Sequence, residues 1–344
     1  MKILVCDFLA VEAHKTMNIN IIKALSRMSA VDLISVNDFY LDNEEELEIY
    51  GINVLKIQVD RPEKGKFSSR FFSLNLMKSE AEIANSGSYD LVVSLAFETI
   101  AMALGIHLYK NVPIAIYHHK NTDELISKLK SLFYGVYKNK VYNLVFEEFI
   151  ARYLIEYAGV KQERVIVLPH PITTETYEPV VEKYDCVGIS NSNSESFIQE
   201  IVDHNELYRI YNFQIILRSK MLEVEKSNVR VIKGFLPLKT YNEYISEGKY
   251  ILVTLPPTFI YRLSGSIYDA IARHKKVITT SRMHAEEYGK KYPGICEYAE
   301  TSEEIVKVLL ENKTVDEKIF EEFIEQHGIE YISKCMLERL TSLN

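Results

Sequence analysis

An α/β fold of two doubly wound domains is predicted for this chain of 344 residues, from three observations. Short apolar, β-rich runs alternate with helical stretches, the pattern of a parallel sheet covered on both faces. The alternation stops at one proline- and threonine-rich stretch and then resumes. The length suits about two domains, each able to bury its own core.

In the first half, residues 2–7 form a short apolar run. Met17, Ile21, Leu25 and Met28 then recur at helical spacing behind Thr16, a reasonable N-cap. Residues 31–36 and 52–59 are β-rich, and residues 90–96, 113–117, 143–146 and 164–168 follow as short strands between helical stretches. The opening segment MKILVCDFLAVEAH carries Asp7 inside its apolar run and no small-residue cleavage site, so it reads as a first strand rather than a signal peptide. Residues 91–109 are apolar apart from Ser94, Thr99, His107 and Glu98. A buried strand and helix explain them better than a span, because Glu98 would sit near the bilayer centre.

Residues 169–179, PHPITTETYEP, have three prolines, three threonines and no apolar period, as an interdomain connection does. Strand runs then return at residues 184–189, 213–217, 229–232, 250–255 and 277–280, with helices from about Ser266 and about Ser302. Residues 315–343 read as a long amphipathic helical stretch interrupted near Gly328. Ligands of open parallel sheets bind beyond the carboxyl ends of the strands, so the expected site is a cleft between the two sheets.

Composition narrows the function. The chain has 40 Lys+Arg against 48 Asp+Glu, a formal charge of −8, which disfavours a nucleic-acid coat. Cys6, Cys186, Cys296 and Cys335 form no CxxC pair, so neither a zinc site nor a disulfide framework is indicated, and a reduced cytosolic thiol set is expected.

The most informative segment is residues 261–280, YRLSGSIYDAIARHKKVITT. Ser264-Gly265-Ser266 opens an apolar helix, where free N–H groups suit a phosphate and Gly265 admits close approach, with Arg262 adding positive charge. Ser266 and Asp269 also fit a capping box, which needs neither Arg262 nor Gly265.

VIVLPHPI at residues 165–172, GFLP at 234–237 and the SGSIYDAIARHKKVI helix and strand together resemble glycosyltransferases of the GT-B fold, nearest the family-4-like group. The resemblance covers nearly the whole chain, most clearly residues 140–312. It implies two Rossmann-like domains facing across a cleft. Residues 1–170 would be the acceptor side and residues 171–183 the linker. Residues 184–314 would hold the nucleotide sugar, and 315–344 would be a helical tail packing back on the first domain. It further implies a metal-independent, hexosyltransferase-type enzyme with a nucleoside-diphosphate sugar as donor substrate and no cofactor. Gly234 and Phe235 would hold the base and Asp269 the ribose hydroxyls. Arg218, Lys220, Arg262 and the Ser264, Gly265 and Ser266 amides would hold the phosphates. Two cations can offset charge growing on a departing diphosphate. The sequence departs from that pattern in three places. Of the family's two spaced glutamates the first falls on Tyr261 and the second is Asp269, and the loop after the first strand, residues 9–14, has no glycine.

In the first domain the resemblance places a cleft-facing histidine at His118-His119, where spacing favours His119 as a catalytic group. Glu98 is the second catalytic candidate, with Glu12 as its rival general base, and His14 and Lys15 lie near the same edge. Residues 61–78 mix five basic residues with three Phe, and residues 128–142 mix Lys128, Lys130, Lys138 and Lys140 with aromatics. Such surfaces suit a lipid-linked glycan acceptor at an anionic membrane, or else solvated helices over buried rings. The expectation is a cytoplasmic transferase of surface polysaccharide synthesis with peripheral contact at the inner membrane face and no nucleic-acid partner. A nucleotide-sugar epimerase of the same fold, a sugar-binding module and a non-catalytic partner subunit remain alternatives.

Overall fold

The computed structural model describes residues 1–60, 66–110, 112–173 and 180–343, with Ala13, residues 66–68 and Ser342 described by backbone alone. The expectations for residues 61–65 and 174–179, parts of the first basic segment and of the linker, lie outside these. The chain divides into two compact units. One comprises Met1–Pro171, Tyr261–Leu263 and His327–Asn344, and the other Ile172–Ile260 and Ser264–Gln326.

The first unit is built on a seven-stranded sheet. Its strands are β1 (Lys2–Asp7), β2 (Ala30–Val36), β3 (Asn53–Ile57), β4 (Leu91–Ala96), β5 (Ile114–Tyr117), β6 (Tyr142–Val145) and β7 (Val165–Val167). They run parallel in the order β3-β2-β1-β4-β5-β6-β7. Parallel neighbours need helical crossovers, and those cover both faces. This is why β4, LVVSLA, is buried at every residue instead of alternating. Chain order reverses between β1 and β4, making their carboxyl ends the switch point. The last long helix, Ile329–Leu340, adds Ile332, Met336 and Leu340 to the core formed by Ile3, Val5, Leu33 and Val93.

The second unit repeats the plan with β8 (Tyr184–Gly188), β9 (Ile215–Ser219), β10 (Val224–Glu225), β11 (Val229–Lys233), β12 (Gly248–Val253), β13 (Lys276–Thr279) and β14 (Cys296–Tyr298). The order is β10-β11-β9-β8-β12-β13-β14, parallel except for the β10 edge. Here the winding reverses between β8 and β12.

Most expected strands lie within two residues of the observed ones. The sequence reading misses β10 and β14, which are too short to show a period. The expected capping box is corrected. The helix begins at Gly265 with Ser264 at the N-cap, so Ser266 is its second residue and Asp269 its fifth, too far along to cap. Likewise the first helix, Lys15–Ser26, starts behind His14 rather than Thr16. Among the described residues, no helix is long and apolar enough to cross a membrane. Residues 91–109 fold instead as β4 and the Thr99–Gly105 helix. The cysteines are free thiols, three of them buried.

Candidate functional site

In the second unit, two groups of polar residues gather at the carboxyl edge of the sheet. The first follows β9 and β11, which run side by side with Ser219 opposite Lys233. Gly234, next in the chain, takes a φ of +97°, a conformation open to glycine and costly for other residues. Its N–H donates to Ser219 O at 2.9 Å, and its carbonyl accepts from Arg218 Nε. The turn swings Phe235 outward, leaving it 73% exposed. A core role for that ring is thereby excluded.

Arg218 is buried and spends its Nε on the turn. Lys220 is exposed, and its backbone N–H donates to Glu195 Oε1 at 2.9 Å. Burial pushes the Glu195 carboxyl up, but the Ser219 hydroxyl, the Lys220 N–H and the nearby cations outweigh it and hold the group below its usual range. The edge therefore presents one free-standing ring, one exposed ammonium and a buried guanidinium within a few residues of one another.

The second group lies at the switch point. The loop after β8 runs through residues 189–194. Its Asn193 side chain donates to Gly188 O at 2.9 Å and accepts from Thr254 N at 3.0 Å, while Ser194 N donates to Thr254 O at 2.6 Å. The ends of β8 and β12 are thus laced together by side-chain amide and backbone, where a glycine-rich loop would otherwise serve. Past β12, Ser264 and Ser266 are buried and Gly265 is exposed, with no atom within 4 Å of where a Cβ would stand. Ser264 makes no side-chain cap, so its hydroxyl does not close off the first amides of the Gly265–Ile271 helix.

Asp269 is placed differently from the others. Its carboxylate accepts from the Tyr241 hydroxyl at 2.9 Å, on the neighbouring Leu238–Glu247 helix. Ser266 Oγ stands 3.0 Å from the same hydroxyl. A phenol has one proton, and the carboxylate is acceptor-only when ionised, so Ser266 donates to Tyr241 and Tyr241 to Asp269. Burial pushes the Asp269 carboxyl up, against the pull of Arg273 and Tyr241.

Arg262 belongs to the first unit, where its Nε meets Asp123 Oδ2 at 2.9 Å. Neighbouring Tyr261 stacks on Tyr153 with centroids 3.7 Å apart and donates its N–H to Asp123 Oδ1 at 2.6 Å. Asp123 thus engages both Tyr261 and Arg262.

The first unit gathers imidazoles at its own carboxyl edge. His118 and His119 leave β5 toward opposite sides. His118 is buried against Asn143, Nε2 to Oδ1 at 2.9 Å, with Nδ1 unpartnered, and burial lowers it to about 4. His119 puts Nε2 2.8 Å from Leu95 O, which makes Nε2 the protonated nitrogen and Nδ1 the acceptor. Its ring stacks on His14, centroids 4.7 Å apart, and lies 5.6 Å from Phe146, which in turn edges His170 at 5.0 Å. Burial first, and repulsion from His14 second, lower His119 to about 3; burial lowers His170 to about 3 as well. At neutral pH the cluster is uncharged.

Glu98 caps the Thr99–Gly105 helix through Ala101 N at 2.7 Å and pairs with Lys130 at 2.6 Å and Arg70 at 3.7 Å. One oxygen caps and the other is salt-bridged, which is the placement of a structural carboxylate. Glu12 lies in a short turn before His14. Of the sequence candidates, Arg218, Lys220, Gly234 and Phe235 come together, as do Ser264, Gly265, Ser266 and Asp269. Among the described residues no group of His, Cys, Asp or Glu is arranged to hold a metal.

No family model matches the chain, and no curated protein matches its sequence. Solved structures do resemble it over its full length. HepE of Anabaena in complex with UDP-glucose superposes with a TM-score of 0.67 at 16% identity, covering 100% of both chains. A glycosyltransferase of Rickettsia africae gives 0.63 at 13% identity, covering 99% of this chain and 98% of its own. The UDP-GlcNAc 2-epimerase of Methanocaldococcus jannaschii gives 0.65 at 13%, covering 99% and 100%. At such identities the likeness speaks for architecture. The chain has the two-domain α/β fold of GT-B glycosyltransferases, which this epimerase shares.

Proposed function

We propose that the chain is a glycosyltransferase that moves a hexose from a nucleoside-diphosphate sugar to a hydroxyl of a glycan acceptor, without a metal ion, in surface polysaccharide synthesis. The observation that carries the reading is the exposed Phe235 ring and Lys220 ammonium beside the Gly234 turn, in a fold shared end to end with a protein solved with UDP-glucose. In this reading Phe235 stacks on the base, and the uncapped start at Gly265 donates amides to the diphosphate. Asp269 reaches the ribose once Tyr241 releases it.

In the reaction the acceptor oxygen bonds to the anomeric carbon as the bond from that carbon to the diphosphate oxygen breaks. The hydroxyl proton is given up to water, and the diphosphate departs with the electron pair of the broken bond. Charge grows on the leaving group, so Lys220 and Arg218 stabilise the transition state more than the ground state. His119, neutral and with Nδ1 as acceptor, holds a sugar hydroxyl.

Calorimetric titration tests this. UDP or GDP binds the wild type at micromolar to millimolar levels, and Lys220→Ala weakens the diphosphate about tenfold while leaving the nucleoside unchanged. Phe235→Ala weakens both. No binding of any nucleoside diphosphate at millimolar levels overturns the reading. The likeness to a 2-epimerase supports a second reading, conversion of the donor sugar itself. Donor isomerised without any acceptor selects it.

A further inference from the structure

The helix Lys128–Gly135 turns Leu129 and Leu132 to solvent, 54% and 72% exposed, with Ile126 before it at 60% and Val136 after it at 47%. Leu129, Leu132 and Val136 stand at i, i+3 and i+7, one stripe of a helix. The stripe does not serve folding, because the opposite side is already filled. Tyr134 and Tyr137 are buried there, and the Tyr134 hydroxyl donates to Asn143 Oδ1 at 2.7 Å.

Glu98 ties two more helices to this one. Its cap starts the Thr99–Gly105 helix, which carries Leu104 at 51% exposure. Its ion pairs hold Lys130, next to Leu129, and Arg70, next to Phe71 at 66% exposure. Three helices are therefore pinned at one carboxylate, and each brings an uncovered apolar side chain.

Charge indicates what covers them. Residues 121–146 carry Lys128, Lys130, Lys138 and Lys140 against Asp123 and Glu124, and residues 66–78 carry Lys66, Arg70 and Lys78 and no acidic residue. Glu98 and Glu124 engage Lys130, and Glu98 engages Arg70, which leaves Lys128 and Lys140 as the exposed lysines of the helix and the turn after it. The whole chain carries −8. An anionic surface attracts this region and repels most others, so it selects one orientation.

We infer that this face docks on an anionic lipid bilayer, with Leu129, Leu132 and Val136 entering the headgroup boundary and the exposed Lys128 and Lys140 meeting lipid phosphates. The inference goes beyond the transferase reading and does not depend on it.

Flotation of the full-length protein with vesicles of phosphatidylcholine, alone or with phosphatidylglycerol, is the experiment. Partitioning onto the phosphatidylglycerol vesicles exceeds that onto neutral ones about tenfold, and it weakens as salt rises. Leu129→Ser with Leu132→Ser lowers it about tenfold or more at an unchanged unfolding midpoint, since both side chains are solvent-facing. Nucleotide binding, measured in parallel, stays the same in the double variant. Equal partitioning to both vesicles, none to either, or an undiminished double variant overturns the inference. So does a wild-type dimer that the double variant dissociates while vesicles go unbound, because the stripe is then a contact between copies.

Discussion

Glu80 is buried on the Lys66–Ser86 helix, beneath β1, and neither carboxylate oxygen makes a hydrogen bond of good geometry. Burial raises it to about 7, tempered by the nearby Tyr109 hydroxyl and Cys6 thiol. Its effect on stability opposes that of the histidines. A carboxyl lifted from 4.5 to about 7 contributes stability that is whole below pH 4.5 and lost as pH rises to 7. His118, His119 and His170, lowered from 6.5 to about 4, about 3 and about 3, contribute stability that is whole above pH 6.5 and lost as pH falls. Between about pH 4.5 and 6.5 each histidine adds about 1.4 kcal/mol per pH unit and Glu80 subtracts about as much. Glu80→Gln is therefore expected to be close to neutral at pH 4.5 and stabilising by up to about 3 kcal/mol at pH 8. Urea unfolding at both pH values reads it, and an equal effect at the two would refute the assignment. None of this was legible in the sequence, where Glu80 is one acidic residue among 48 Asp+Glu on a polar-looking helix.

At the scale of elements, the turn after β11 joins two arguments, one about strain and one about binding. Gly234 has a φ of +97°, and a Cβ there would meet no atom within 4 Å. Substitution therefore costs through the backbone alone, about 1–3 kcal/mol. Gly234→Ala should lower stability by that amount and, by re-aiming Phe235 and loosening the Arg218 contact, weaken nucleotide binding more than Lys239→Ala does on the following helix. Chemical denaturation and calorimetry read the two effects, and full-strength binding would show that the turn geometry does not matter. Most of the elements could be read from sequence because buried parallel strands leave apolar runs with at most one polar break, as at residues 91–96, broken only by Ser94, and 250–253. The cap at Ser264 could not, because Ser264 and Ser266 offer equivalent hydroxyls and only the path of the chain out of β12 decides between them. The Asn193–Thr254 lacing was hidden for a similar reason. Polar residues in a loop carry no period, and their partners lie 60 positions away or more.

For the whole molecule, the division into two units crosses the order of the chain, and this makes the last helix informative. The Glu317–His327 helix is counted with the second unit up to Gln326, whereas the Ile329–Leu340 helix lies with the first. His327 marks the change, its Nδ1 2.8 Å from His170 O, and Arg339 donates to Val167 O at 2.8 Å farther on. Ile332, Met336 and Leu340 are fully buried in the first unit's core. Each such side chain contributes about 1.5–3 kcal/mol on burial, so together they match much of the 5–15 kcal/mol that holds a typical domain folded. The first unit, although its sheet is complete by residue 167, is then not self-sufficient without the final 16 or so residues. Ile332→Ala is expected to cost about 2–5 kcal/mol. Removing residues 328–344 should abolish cooperative unfolding of the first unit while leaving that of the second. Scanning calorimetry with hydrogen exchange on peptides from β1 and β12 separates the two. If the β1 peptides keep their protection in the truncated chain, the helix merely covers a core that stands without it. If the β12 peptides lose theirs as well, the two units unfold as one, and the division seen in the contacts has no counterpart in stability.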